Sequence, residues 1–226
     1  MRTLLHMPLD PACRLIRIIL SEKGLVAQFE AILPWDEHEA ISHHNPAGTI
    51  PVLLDEPPSG GQVAISPVMA IVEYLDEAYQ LAPTLPGTSA ARAETRRLCA
   101  WFMEKFEQEV SAFTIRERID KRIKRQGQPD YDRLKYGLDR LSWHLDYMAW
   151  LLEQRSWIAG EKITVADFAA AAQLSVLDYI DAIQWEKFPA VKEWYARIKS
   201  RPSMRPLLGD RLDGLPPPSH YNDPDF

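Results

Sequence analysis

The apolar positions of this chain change period near residue 80. Before that point short apolar runs alternate with stretches of helical spacing; after residue 89 helical spacing alone remains. Thr3 to His6 reads as a strand, and Leu15, Ile18, Ile19 and Leu20 recur at helical spacing within Arg14 to Lys23 until Gly24 stops the run. Gln28 to Leu33 fits a parallel second strand, and Pro34 to His44 reads as a polar loop with one large aromatic, Trp35. Val52 to Leu54 and Gln62 to Ile65 fit a hairpin. Ser66 suits an N-cap and Pro67 the first helical position, so a helix is expected to about Gln80, with Ile71, Val72 and Leu75 inward.

The remainder predicts helices only. One runs from Ala90 to about Arg125 with Leu98, Trp101, Phe102 and Phe106 on one side, and a second from Pro129 to Arg155. Thr164-Val165-Ala166-Asp167 is a capping box in which Asp167 stands for the usual Glu or Gln, and the Ala-rich run after it marks the most buried helix. A last amphipathic helix spans Pro189 to Ser200, with Val191, Trp194 and Ile198 inward. The expected fold class is therefore a two-domain α/β plus all-α protein: a mixed domain over 1–80, a linker over 81–88 and an all-helical domain over 89–210. The Pro-rich tail, 211–226, reads either as a frayed terminus or as a strap extended along the surface.

Charge and cysteine usage narrow the partners. The chain has 226 residues and a net charge of -6, which opposes a nucleic-acid partner. Pro8, Asp10, Arg14 and Arg17 interrupt the N-terminus too early for a signal peptide, and no apolar stretch approaches the roughly 18 residues of a membrane span. Cys13 and Cys99 make neither a disulfide framework nor a metal-type pair, and His43-His44 lacks further ligands, so the expectation is a cytoplasmic protein without a metal.

Asn45-Pro46-Ala47-Gly48-Thr49-Ile50-Pro51-Val52-Leu53-Leu54 carries the candidate chemistry. Pro51 opens a strand without an amide donor, which leaves the backbone at Ile50 free to pair with a peptide-like ligand. This motif, with Ile65-Ser66-Pro67 and the run to Leu75, resembles the glutathione transferase superfamily, as do the Thr-x-x-Asp box and Phe188 to Ile198. The resemblance implies a thioredoxin-like first domain, a cis Pro51, a homodimer and a glutathione site at the start of the first helix. In serine-type members the reactive Ser stands where this chain has Asp10. An ionised carboxylate cannot donate to a thiolate and repels it. Cys13, one turn on, has two readings: a thiolate favoured by the helix dipole, or a packed, inert thiol. The acid that would bind the γ-glutamyl ammonium is replaced by Ile65, while Ser66 is left either to bind a carboxylate or to cap the helix. His38, His43 or His44 could supply a basic group for the glycine carboxylate.

Within the superfamily the chain is similar to a branch of α-proteobacterial cell-division proteins that bind filaments of the tubulin-like protein FtsZ. Leu9-Asp10-Pro11-Ala12, a basic segment, Ala166 to Ala172, and an ending of the His-Tyr-x-Asp-x-Asp-Phe type carry that likeness. Residues 114–125 hold six basic side chains, Arg116, Arg118, Lys121, Arg122, Lys124 and Arg125, against two acidic ones. Ile115, Ile119 and Ile123 would anchor this helix and leave most of its cations exposed. What the resemblance implies is binding to acidic FtsZ filaments through these cations and through Tyr221, Asp225 and Phe226 of the tail, at the division site; Trp35 reads either as an aromatic anchor beside such a patch or as a ring folded onto the domain or dimer interface. Conjugating activity would then be slight or absent, with no cofactor required and glutathione bound weakly. The alternative is an active glutathione transferase or thiol-dependent reductase using Cys13.

Overall fold

A computed structural model describes residues 2–36 and 38–223 and divides the chain into two compact units, Met1–Leu85 and Pro86–Phe226. In the first, β1 (Thr3–His6) pairs in parallel with β2 (Gln28–Ala31) and antiparallel with β3 (Val52–Asp55). Adding β4 (Val63–Ile65) beside β3 makes a four-stranded mixed sheet of order β2-β1-β3-β4. Helix α1 (Pro11–Glu22) starts earlier than its apolar spacing suggests. Asp10 caps it, accepting the Cys13 amide at 2.8 Å, and Pro11 fits the first turn, where its missing amide is not needed.

Two local expectations change. The segment read as polar loop contains a short helix, α2 (His38–Ser42), whose Ile41 is buried with Leu5, Ile32 and Val52. One apolar anchor is too few to show a period, so the pattern missed it. Helix α3 (Val68–Ala78) is not capped by Ser66: Pro67 occupies the cap position, with no side-chain hydrogen bond. Ile71, Val72 and Leu75 do face inward. The C-terminal end of α3 is closed by Lys23, whose buried ammonium lies 2.8 Å from Asp76 and donates to the carbonyls of Tyr79, Leu81 and Ala82.

The helices of the second unit start after Thr88, which caps α4, a helical rod over residues 89–123. Within the rod, Trp101–Ser111 and Arg116–Asp120 are wound wider, as π-helix. Helix α5 (Tyr131–Leu152) packs closely on the rod at Gly137, where a Cβ would lie 2.8 Å from both Phe113 Cβ and Thr114 Cγ2. Helix α6 (Val165–Tyr179) is buried along its whole length. The capping box forms as expected, and Asp167 also accepts from the Ile158 amide at 2.8 Å and Trp194 Nε1 at 3.1 Å. One carboxylate therefore ties α6 to the preceding loop and to α7 (Pro189–Lys199), whose Val191, Trp194 and Ile198 are buried. After α8 (Arg205–Leu208), the tail folds back through a 3₁₀ turn, Ser219–Asn222. It is neither frayed nor merely superficial up to this turn, because Tyr221 is fully buried.

Candidate functional site

The loop before Pro51 is shaped by Asn45, the turn-forming residue that opens the motif. Asn45 is buried; its amide donates to the Thr49 carbonyl at 2.8 Å and to Thr49 Oγ1 at 3.0 Å, and its Oδ1 accepts the Ala47 amide. Its place ahead of Pro46 was the available signal, since Asx side chains close turns on their own backbone. Ile50–Pro51 is cis, as is Ser66–Pro67. Ile50 packs against the Leu5, Ile32, Ile41 and Val52 cluster, and the β1–β3 register begins only at Val52, so Ile50 lies outside the strand pairing. Ile65 and Ser66 are half-buried at the end of β4.

The chemistry at α1 is that of a cap. The Asp10 carboxylate is held by the Cys13 amide, and Pro8, just ahead, receives Arg14 Nε at 2.9 Å and Arg17 at 3.4 Å through its carbonyl. Cys13 is fully buried, its Sγ 3.5 Å from the Met7 amide. Burial, followed by the Asp10 charge, pushes its thiol well above the ordinary range. A reactive thiolate is thus opposed by both desolvation and a like charge, and the packed, inert reading is the one this geometry supports.

The basic segment is less open than its composition suggests. Ile115 and Ile119 are buried as anchors, but so is Glu117, which lies between them and gathers cations inward. Its carboxylate pairs with Lys121, accepts Arg133 Nε at 2.7 Å and accepts the Asp130 amide at 2.8 Å. Burial alone would raise this acid; the Asp130 amide, then Lys121 and Arg133, hold it below the usual carboxylate range. Arg118 donates to the Ile180 carbonyl, and Arg122 donates to the Asp213 and Gly214 carbonyls. Arg118 and Lys121 are therefore half-buried and turned to partners within the chain, while Arg122 lies on the exposed side as expected but is committed to two loop carbonyls. Arg116, 3.6 Å from Glu107, and Arg125 are exposed; Lys124 is half-buried.

Of the other expected contact residues, Trp35 is half-buried on a turn of the first unit, and Tyr221 is fully buried. Asp225 and Phe226 lie outside the described residues.

One surface was missed altogether. Tyr136, Arg140, Trp143, Tyr147 and Trp150 recur every three to four residues on α5. Trp143 stacks on Trp101 at 5.6 Å and Tyr147 on Trp150 at 6.0 Å, while Trp143 and Trp150 remain 44% and 52% exposed. Lys105 and Arg140 lie over the Trp143 ring and both pair with Glu109. Trp101 Nε1 can only donate, so His144 Nδ1 accepts it at 3.1 Å and His144 Nε2 carries the proton toward Glu109 at 3.0 Å. Burial above all lowers His144 to about 4. Among the described residues no cluster of three or more His, Cys, Asp or Glu could hold a metal.

Comparison with known proteins decides the family. Residues 4–109 match the glutathione S-transferase N-terminal domain model and residues 115–210 the C-terminal domain model. The chain belongs to the glutathione S-transferase family. Within it, the chain is 44% identical over 225 residues to FtsZ-localized protein A of Caulobacter vibrioides, covering 100% of this chain and 98% of the relative. The solved structure of FzlA from C. crescentus superposes with a TM-score of 0.95 at 43% identity, covering 100% and 99% of the two chains. A glutathione S-transferase structure from Rhodospirillum rubrum F11 gives 0.94 at 42%, with both chains fully covered. Among the described residues of this glutathione transferase fold, no helix is long and apolar enough to cross a membrane.

Proposed function

We propose that this chain is a cell-division factor that binds FtsZ filaments on a glutathione transferase scaffold, in the cytoplasm at the division site, with little or no conjugating activity. The observation that carries the reading is the full-length likeness to FtsZ-localized protein A, which runs through the tail where the C-terminal family model stops at residue 210. The α1 terminus supports it from the chemical side: a capping Asp10 and a buried Cys13 offer no group to activate a thiol. With Ile65 in place of an acid, a ligand ammonium would forgo about 1.5–3 kcal/mol, roughly ten- to a hundredfold in affinity. No cofactor is required on this reading, and any glutathione held by the Ile50 backbone is held weakly.

Exposed Arg116 and Arg125 are the cations best placed to meet an acidic filament. The aromatic stripe of α5 is the natural face for a two-fold contact between copies, since a self-complementary patch serves both subunits. A dimer would grip a filament bivalently.

Co-sedimentation with nucleotide-assembled FtsZ over a salt series tests the reading. Wild-type protein should pellet at low salt and less as salt rises. Arg116→Glu with Arg125→Glu should pellet less while melting like the wild type. No pelleting at low salt would remove the proposal.

A further inference from the structure

The start of the tail is held from two sides. Arg122 Nε donates to the Asp213 carbonyl at 3.2 Å and its Nη2 to the Gly214 carbonyl. The Tyr179 hydroxyl accepts the Leu212 amide at 2.8 Å and donates to the Leu215 carbonyl at 2.7 Å. Between these, the Leu215 amide closes a turn on the Leu212 carbonyl at 3.0 Å. Gly214 has φ +70°, and a Cβ there would overlap the Arg122 guanidinium, so the cation sits directly against the loop backbone.

Further along, the tail has a separate anchor. Tyr221 is buried with its ring edge-on to Tyr179, and its hydroxyl donates to the Leu207 carbonyl at 3.3 Å. Lys199 donates to the His220 carbonyl at 3.0 Å, and His220 lies 3.1 Å from Asp178. The two attachments differ in kind. The anchor is buried and built partly on charge, whereas Arg122 faces solvent and spends its charge on two neutral carbonyls. A carboxylate accepts from a guanidinium more strongly than carbonyls do and matches its two-pronged geometry.

We propose that Arg122 and Tyr179 form a clasp on residues 212–215, and that a partner carboxylate binding Arg122 opens it while the Tyr221 anchor keeps the rest of the tail docked. Opening frees the Asp213 and Gly214 carbonyls to face the same partner, so the basic end of α4 and the tail act as one surface. The opening step rests on the acidic-partner reading above; the clasp does not.

Hydrogen–deuterium exchange of the full chain tests both parts, with poly-glutamate as the carboxylate probe. Arg122→Gln and, independently, Gly214→Ala should speed exchange of the amides of residues 212–215 about tenfold or more, as expected for losing two hydrogen bonds. Arg125→Gln should leave it at the wild-type rate. Poly-glutamate should speed the same residues in the wild type and add nothing in Arg122→Gln. Unchanged exchange in both loop variants would overturn the clasp. Faster exchange in those variants, with a wild type indifferent to poly-glutamate, would overturn the opening step. Wild-type exchange of α6 in every variant reports an intact fold, and none of these readouts depends on whether FtsZ pellets.

Discussion

Removing the Glu117 carboxylate tests whether the basic segment is organised from within. Glu117→Ala deletes a group that is 3% exposed and accepts from Lys121, Arg133 and the Asp130 amide at once. Bonds to a charged group contribute about 1.5–3 kcal/mol each. Lys121 and Arg133 are partly exposed and can return to water, so most of their share is recovered. The Asp130 amide, at the start of α5, retains the loss, and a cavity adds to it. The expected cost is about 2–3 kcal/mol, read as a lower urea midpoint with an unchanged slope. The pH dependence gives a sharper check. Because the folded acid titrates below its unfolded value of about 4.3, its contribution is complete above that pH and disappears as pH falls through the folded pKa. The gap between wild type and Glu117→Gln should therefore be widest at pH 7 and close in acid. Equal midpoints at pH 7, or a gap that persists in strong acid, would refute the reasoning.

Three further outcomes follow from the same geometry. Gly137→Ala should destabilise by about 1–3 kcal/mol by thermal melting, because overpacking against Phe113 and Thr114 outweighs the better helix propensity of Ala. His144, held near 4 against about 6.5 unfolded, should show no NMR titration between pH 8 and 5, and its share of stability should decline as pH falls from about 6.5 toward 4. Cys13 and Cys99 are both buried, so a thiol reagent should label neither until denaturant is added; rapid labelling of Cys13 in the native protein would reopen the thiol-chemistry reading.

The strand-and-helix order, the capping box at Thr164 and the inward faces of α3 and α7 were legible because each is a local pattern, set by neighbours within a turn or a strand. Helix α2 was not, since it rests on one buried isoleucine, and the Ser66 cap failed because the chain enters α3 through Pro67. At the candidate site the sequence did not show how individual side chains pack. Asp10, at the register of the reactive serine, caps α1, and Tyr221, expected to meet a partner, is buried.

The amino-acid sequence by itself determined the fold class, the family resemblance and the local excess of positive charge, because periodicity, motif spacing and charge are properties of the chain. Tertiary structure alone decided which charges are free. Glu117 turns inward between two anchoring isoleucines and draws Lys121 and Arg133 with it, while Arg122 meets a loop 91 and 92 residues away. Those partners come from distant segments, and no local pattern encodes the distance between side chains that only folding brings together.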